Sequence, residues 1–307
     1  MSGAERRGSR RLAALPLDPP ETLGAAGAAS QGGHDLLAVE EPLELRVHGR
    51  PWLVTLRTPG DDLDLVAGLL RCEGVIGRWS EVEAAEIVAV EGSAGASARC
   101  EIELDEAALD RWARRRMERE FAMVGGCGVC GKARLEDLEA QRPRPLASRR
   151  SARARRLDPE LVRRLPAVMR QRQELFEQTG GLHAAALFGY DGELLLLRED
   201  VGRHNAVDKV VGAALRGGFD GATPRIGGRV AGGERSDDHV LHDLLLVVSG
   251  RAGFELVHKA LCSEVDALIA VGAASTLAVE LAERCGLGLY WFVRDEGGKR
   301  LPPRSPD

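Results

Sequence analysis

The second half of the chain alternates short apolar runs with amphipathic helical patterns, and this alternation constrains the fold more than any other feature. Strands are predicted over residues 244–249, 267–271 and 288–293, with helices over 253–262 and 275–285 between them. Such strand–helix–strand units place parallel strands in one sheet. Two further strands, 183–188 and 193–198, are joined through Asp191-Gly192, a strong hairpin signal. The pattern predicts an α/β (α+β) fold, a layered core with a mixed sheet.

The first half predicts a smaller β/α region. Its predicted elements are a hairpin over 43–56 that turns at Gly49-Arg50, a helix over 62–71, strands over 87–90 and 100–104, and a charged helix over 105–121. Single helices over 157–178 and 206–215 and a long loop over 217–240 complete the second half. We divide the chain into a disordered N-terminal segment (1–35), a β/α region (36–122), a cysteine loop with an arginine-rich linker (123–156), a core (157–300) and a tail (301–307).

Composition and charge exclude two classes of function. The 307 residues carry a net charge of −5 and a sequence pI of about 5.9, which argues against a general nucleic-acid binder because such proteins are basic. No apolar run approaches the roughly 18 residues that a membrane-spanning helix needs. The N-terminal residues lack the apolar stretch of a secretory signal, so we expect a cytoplasmic protein whose thiols stay reduced.

Two of the six cysteines, Cys127 and Cys130, lie in a stretch, residues 125–132, in which six of eight residues are Gly or Cys. Lys132 closes this stretch, and its charge would raise the thiolate fraction of a neighbouring cysteine. A dithiol in this setting suits sulfur carriage, in which a thiolate attacks a persulfide and keeps its outer sulfur. It also suits a redox switch or half of a zinc site, and the residues leave these alternatives open.

A complete zinc site has weaker support than sulfur carriage. The other four cysteines lie singly in helix-like or strand-like patterns and are interpreted as small buried residues: Cys72, Cys100, Cys262 and Cys285. His239 and His242 are spaced as two ligands could be, so a Cys2His2 site stays an alternative. Zinc deaminase chemistry is excluded, because no glutamate follows His183-Ala184 and the order of the motifs is reversed.

Glycine and polar residues follow several predicted strands where a helix begins. These stretches are residues 200–205, 249–251 and 272–275. Backbone N–H groups at helix starts bind anions, and an arginine such as Arg251 adds a bidentate phosphate ligand. Together with residues 179–183 they would line one edge of the sheet, where α/β proteins bind ligands. A single histidine such as His183 is more often a buried core residue than a ligand-binding one.

Seven arginines occur within residues 142–156: Arg142, Arg144, Arg149, Arg150, Arg153, Arg155 and Arg156. A solvated, mobile linker is the favoured interpretation of this run. A cationic strip for a phosphorylated ligand or an acidic partner is the alternative.

Taken together, these motifs resemble the formate dehydrogenase accessory sulfurtransferase family. The matching stretches are residues 39–47, 57–63, 127–132, 179–186, 199–209 and 249–251, and the resemblance extends from about residue 39 to the C-terminus. It implies a cytidine-deaminase-like core without zinc chemistry, and a homodimer.

The resemblance also implies a function and the residues that perform it. The protein would accept persulfide sulfur from a cysteine desulfurase and pass it to the molybdenum cofactor, in its bis-guanine-dinucleotide form, for the catalytic subunit of formate dehydrogenase. Cys127 would carry the persulfide and Cys130 would assist. The family's cofactor segment falls on Phe292, Val293, Arg294, Asp295, Glu296 and Gly297. With the strand-end residues Ser249, Gly250, Arg251 and His183 they form the predicted cofactor site, and no structural metal is expected.

Overall fold

The computed structural model of the chain describes residues 8–13, 34–90, 97–120, 153–154, 156–217, 225–226, 229–230 and 241–302. The helices in these ranges are α1 (Asp62–Cys72), α2 (Glu106–Glu120), α3 (Pro159–Arg170), α4 (Glu174–Thr179), α5 (Arg203–Leu215), α6 (Phe254–Cys262) and α7 (Thr276–Cys285), with a short 3-10 helix (Trp79–Glu81). None of these helices is long and apolar enough to cross a membrane.

The strands of the described ranges form two larger mixed sheets and two small ribbons. They are β1 (Ser9–Ala13), β2 (His34–Ala38), β3 (Glu41–Val47), β4 (Arg50–Arg57), β5 (Val82–Val90), β6 (Ser97–Leu104), β7 (His183–Phe188), β8 (Leu194–Asp200), β9 (Arg225–Ile226), β10 (Arg229–Val230), β11 (Leu245–Val248), β12 (Ala267–Ala270), β13 (Gly288–Arg294) and β14 (Gly297–Arg300). The predicted mixed α/β fold class is confirmed.

The larger sheet has the strand order β14-β13-β12-β11-β7-β8. The adjacent strands β11, β12 and β13 run parallel to one another, and the other neighbouring pairs in this sheet are antiparallel. Side chains alternate between its faces: Leu246 and Val248 pack with α5, α6 and α7, whereas Leu245 and Val247 pack with α3. The sheet is therefore covered on both faces, and each fully buried Leu or Val contributes about 1.5–3 kcal/mol through removal from water.

The smaller sheet has the order β4-β3-β6-β5 and packs against α1 and α2. Alternating residues of β3, such as Leu43 and Leu45, are fully buried, as is Leu65 on α1. Trp112 brings α2 into the same core. The predicted hairpin is confirmed, with His48-Gly49 as the turn between β3 and β4.

Helices α1 and α5 join the two sheets by an unusually close contact. A Cβ atom on Gly68 of α1 would lie 1.8 Å from the carbonyl oxygen of Asp208, and one on Gly212 of α5 would lie 1.8 Å from that of Asp64. Only glycine allows the two backbones to approach this closely. At the rim of the contact, Asp64 forms ion pairs with Arg198, at 3.0 Å, and with Arg216.

Several predictions about single elements are wrong or incomplete. Residues 157–178 form two helices, because the Glu199 carboxylate accepts the Leu175 and Phe176 N–H groups at 2.9 and 2.8 Å and begins α4 separately. The predicted disordered segment contains β1, which pairs antiparallel with β2. The strand at 288–294 is not the last, because the chain turns at Asp295-Glu296 and returns as β14. The predicted loop 217–240 contains the ribbon β9–β10.

Replacing Gly68 by alanine is expected to lower the free energy of unfolding by about 3 kcal/mol, the upper range for overpacking, because the new methyl group overlaps the backbone of α5. Gly253→Ala is the matched control, since its Cβ would meet nothing within 4 Å; it should cost at most about 1 kcal/mol. Urea unfolding followed by circular dichroism measures both. Equal stability of the two variants would contradict the close contact.

Candidate functional site

The carboxyl ends of the parallel strands β11 and β12 lie side by side with the bulged part of β13. Ser249-Gly250 follows β11, Gly272 follows β12, and Phe292 lies in β13. The Gly272 N–H donates to the Gly250 carbonyl at 3.0 Å, and the Phe292 N–H donates to the Gly272 carbonyl at 2.9 Å. The structure thus brings together strand ends that the sequence only suggested as neighbours. We call the surface formed by His183, Arg203, residues 249–251, Gly272 and Phe292 the carboxyl edge.

His183 belongs to this edge because β7 runs antiparallel to β11 and begins where β11 ends. The Ser249 hydroxyl accepts the Ala184 N–H at 2.9 Å and lies 3.4 Å from His183 Nδ1. Partial burial and the positive Arg203 lower the pKa of His183 below its usual value. A histidine with a lowered pKa is neutral at pH 7, so His183 presents a hydrogen-bonding imidazole rather than a charge.

Arg203, the first residue of α5, lies in the strand-end stretch 200–205 but was not among the residues of the predicted cofactor site. Its side chain lies against Gly250, where an added Cβ would be 3.6 Å from Arg203 Cδ and 3.7 Å from His183 Nδ1. Within the described part of the chain, the guanidinium groups of Arg203, Arg251 and Arg294 form no hydrogen bond or ion pair. Arginines without an internal partner at one edge favour an anionic ligand.

Three helices, α5, α6 and α7, begin at the carboxyl edge, directly after Gly202, Gly253 and Ser275. The Ser275 hydroxyl caps α7 by accepting the Ala278 N–H at 3.3 Å. The positive ends of three helix dipoles therefore point toward the same surface as Arg203 and Arg251. This arrangement suits phosphate groups, which backbone N–H groups at helix starts hold readily.

Phe292 has an unusual backbone and an exposed ring. Its φ of 53° lies in the left-handed region, which costs a non-glycine residue roughly 1–3 kcal/mol, and 42% of the residue is exposed. The Lys299 ammonium lies 5.6 Å from the centre of its ring. Strain that exposes an aromatic ring beside an anion-binding edge is typical of a binding surface, and a planar base could stack there.

The rest of the predicted cofactor segment surrounds Phe292. Val293 is buried beneath the sheet surface, whereas Arg294, Asp295 and Glu296 are exposed at the turn into β14. Gly297 pairs with Arg294 across this turn. The segment therefore presents one exposed cation and two exposed carboxylates next to the carboxyl edge.

A pair of titratable groups, His204 and Glu255, flanks the carboxyl edge, and the sequence did not predict that the two side chains meet. His204 Nε2 lies 2.7 Å from the Glu255 carboxylate, which joins the first turns of α5 and α6. Burial alone would raise the pKa of Glu255, but the hydrogen bond and charge of His204 outweigh it and lower that pKa. His204 lies in the stretch 200–205 that the sequence singled out, whereas Glu255 is marked only by its position in the first turn of a helix.

The predicted sulfur-carrying residues Cys127 and Cys130, with Lys132, lie outside the described residues. The structure describes the other four cysteines, of which Cys72, Cys100 and Cys285 are buried and Cys262 is partly buried. Burial raises the pKa of Cys72 well above its usual value, that of Cys100 to about 12 and that of Cys262 to about 11. Thiols with such raised pKa values are poor nucleophiles. The interpretation as small buried residues is confirmed for Cys72, Cys100 and Cys285.

The described ranges contain no group of three or more His, Cys, Asp or Glu side chains arranged to hold an ion. His242, one of the two histidines considered for zinc, lies 3.0 Å from the Glu264 carboxylate. His239, the other, lies outside the described residues.

The end of the arginine-rich linker is fixed to the opposite edge of the larger sheet. Arg153 stacks 3.5 Å from the centre of the Tyr190 ring and pairs with Asp243 at 3.0 Å. The Tyr290 hydroxyl donates to the Ala154 carbonyl at 2.8 Å. Arg153 stays solvent-exposed, as the interpretation of a solvated linker expects, but stacking and an ion pair hold its side chain in place. Of the other six arginines, the structure describes only Arg156.

The chain is similar to known proteins over most of its length. The model of the FdhD/NarQ family matches residues 38–299. A sulfur carrier protein FdhD from Nocardia farcinica is 43% identical over 264 residues, covering 85% of this chain and 84% of that one. One from Anaeromyxobacter dehalogenans is 42% identical over 291 residues, covering 89% and 90%. A crystal structure from Desulfotalea psychrophila, provisionally assigned as a formate dehydrogenase accessory protein, shares the fold with a TM-score of 0.62, 20% identity and coverage of 96% and 97%.

Alkylation of the folded protein with iodoacetamide at pH 8 is expected to spare Cys72, Cys100 and Cys262. A thiol with a pKa of about 11, such as Cys262, is ionised in roughly one molecule in a thousand at this pH. Burial also blocks access to Cys72 and Cys100. Peptide mass spectrometry should find label on Cys127 and Cys130 first, and on all six cysteines after unfolding in urea. Rapid labelling of Cys262 in the folded protein would contradict this assignment.

Proposed function

The chain belongs to the FdhD/NarQ family, and from this membership we propose that it is a sulfur carrier and sulfurtransferase. The observation that carries the proposal is the match of the family model to residues 38–299, a range that includes both Cys127 and Cys130. Relatives that are 41–43% identical are named sulfur carrier proteins. The raised pKa values of three other cysteines support the choice of these two, because sulfur transfer needs a thiolate.

The loading step that we propose takes place at Cys127. Its thiolate attacks the outer sulfur of a cysteine persulfide on the donor protein, and a new S–S bond forms while that of the donor breaks. The donor cysteine leaves as a thiolate with the bonding electron pair, and Cys127 becomes a persulfide. The step consumes no oxidant or reductant. Cys130 assists as a neighbouring thiol.

The acceptor that we propose is the molybdenum cofactor in its bis-guanine-dinucleotide form, and the carboxyl edge fits its chemistry. Arg203 and Arg251 have no partner among the described residues, and three helix starts add backbone N–H groups for the pyrophosphates. The exposed Phe292 ring offers a stacking surface for a base. The exposed carboxylates of Asp295 and Glu296 can accept hydrogen bonds from the N–H groups of guanine. Adenine does not present N–H groups in the same arrangement.

We propose that a cysteine desulfurase is the sulfur donor and that the catalytic subunit of formate dehydrogenase receives the sulfurated cofactor. We also propose that the chain works as a homodimer in the cytoplasm. Support comes from the family membership and from the motif resemblance.

Incubation of the protein with a cysteine desulfurase and cysteine is expected to add the mass of one or more sulfur atoms, as seen by intact mass spectrometry. Cys127→Ala should lose the adduct, because it removes the attacking thiolate. Cys262→Ala is the matched control and should load like the unaltered chain, because burial raises the pKa of Cys262 to about 11. An undiminished adduct on Cys127→Ala, or no adduct together with one zinc per chain that either Cys→Ala substitution removes, would sink the proposal.

Guanosine diphosphate is expected to bind more tightly than adenosine diphosphate, measured by isothermal titration calorimetry. Arg251→Ala should weaken GDP binding roughly tenfold or more, because a charge-assisted hydrogen bond contributes about 1.5–3 kcal/mol. Arg164→Ala is the control, since Arg164 donates to the Asp191 carbonyl at the opposite end of β7 and should not affect GDP. Equal affinity for both nucleotides, or equal effects of both variants, would argue against the site.

A further inference from the structure

We propose that Thr58, with the buried pair Asp200 and Lys209, is a positioning device for the carboxyl edge. These residues hold the turn from Asp200 to Gly202, and this turn presents Arg203 to the anionic part of the ligand. The inference rests on the proposed function for the identity of the ligand, whereas the geometry of the turn stands independently of it. We call Thr58, Asp200, Asn205 and Lys209 the Thr58 junction.

The ion pair at the centre of the Thr58 junction is excluded from water. Lys209 Nζ lies 2.7 Å from Asp200 Oδ2, and the two side chains are 1% and 0% exposed. The same ammonium group donates to the Thr58 carbonyl at 2.8 Å. Buried charges need such partners, because each unpaired one would cost several kcal/mol.

The second oxygen of Asp200 shapes the turn itself. Asp200 Oδ1 accepts the Gly202 N–H at 2.8 Å and Asn205 Nδ2 at 3.1 Å. These bonds close the backbone directly before Arg203, the first residue of α5. The direction in which Arg203 leaves the helix start is therefore set by the Asp200 carboxylate.

Thr58 contacts this turn from the other sheet, at the end of β4. Its N–H donates to Asp200 Oδ2 at 3.1 Å, and its hydroxyl accepts the Val201 N–H at 3.1 Å. Asn205 Nδ2 also donates to the Leu56 carbonyl at 2.7 Å. The turn that carries Arg203 is thus clamped between the smaller and the larger sheet.

A positioning role explains why a polar junction occupies this place. Apolar side chains of similar volume often stabilise a core as well as a buried ion pair does, so stability alone does not require one. A fixed turn, in contrast, needs directed hydrogen bonds at chosen backbone groups. Binding groups act well only when their supporting contacts keep them within roughly half an ångström of the productive position.

The test uses a single hydroxyl, because removing Asp200 or Lys209 could unfold the chain. Thr58→Val removes the acceptor of the Val201 N–H at nearly constant volume, and Thr58→Ser restores it. Tyr190→Phe is the matched control: it removes a hydroxyl that donates to Asp266 at 2.8 Å, at the opposite edge of the larger sheet. GDP binding is measured by calorimetry, and hydrogen exchange of the amides of residues 199–209 by mass spectrometry.

Thr58→Val is expected to raise the Kd for GDP roughly tenfold, by misplacing Arg203, and to speed exchange within residues 199–209. Thr58→Ser and Tyr190→Phe should stay within about twofold of the unaltered chain in Kd. Unchanged exchange in Thr58→Val overturns the inference whatever the ligand is. Faster exchange in Thr58→Val with an unchanged Kd for GDP also overturns it. The same holds if Tyr190→Phe weakens GDP binding as much as Thr58→Val does. Failure of the unaltered chain to bind GDP overturns the cofactor part of the proposed function, and the exchange measurement still decides whether Thr58 orders the turn.

Discussion

The buried ion pair between Asp200 and Lys209 is the interaction on which much of the structure depends. Two charges excluded from water must find every partner inside the protein, and here those partners come from both sheets. The pair therefore fixes the end of β4 against the start of α5. The close backbone contact between Gly68 and Asp208 continues the same junction along α1 and α5. The smaller sheet keeps its own hydrophobic core, and these polar and backbone contacts join it to the larger sheet.

The placement of the site follows from the direction of three strands. Because β11, β12 and β13 run parallel, their carboxyl ends lie at one edge, with the starts of α6 and α7 after β11 and β12. Strand β8 runs in the same direction, so the start of α5, which follows it, lies at this edge as well. Three positive helix ends then face the same surface as Arg203 and Arg251, which have no partner among the residues that the structure describes. His183 adds a neutral imidazole there, and Phe292 an exposed ring held in a strained backbone. Such a surface favours a ligand that combines phosphates with a flat base.

Much of the secondary structure could be predicted, because apolar periodicity reports directly on which face of an element is buried. The hairpin at Gly192 and the helix Asp62–Cys72 are examples. The break between α3 and α4 could not be predicted, since the acceptor that begins α4 is Glu199, about 24 residues further along the chain. Strand β1 was also missed, because its polar composition gives no alternating pattern and its pairing with β2 supplies the order.

The sequence by itself determined the kind of fold, the order of its elements, the strand-end motifs and the distinctive pair Cys127 and Cys130. These are local properties, in which residue type and spacing carry the information. Only the tertiary structure decided which strand ends are neighbours, that Arg203 lies beside His183, and that Thr58 supports the turn before Arg203. It also decided that Cys72, Cys100 and Cys262 are poor thiolates. Burial and long-range hydrogen bonds depend on residues far apart in the chain, and no local pattern records them.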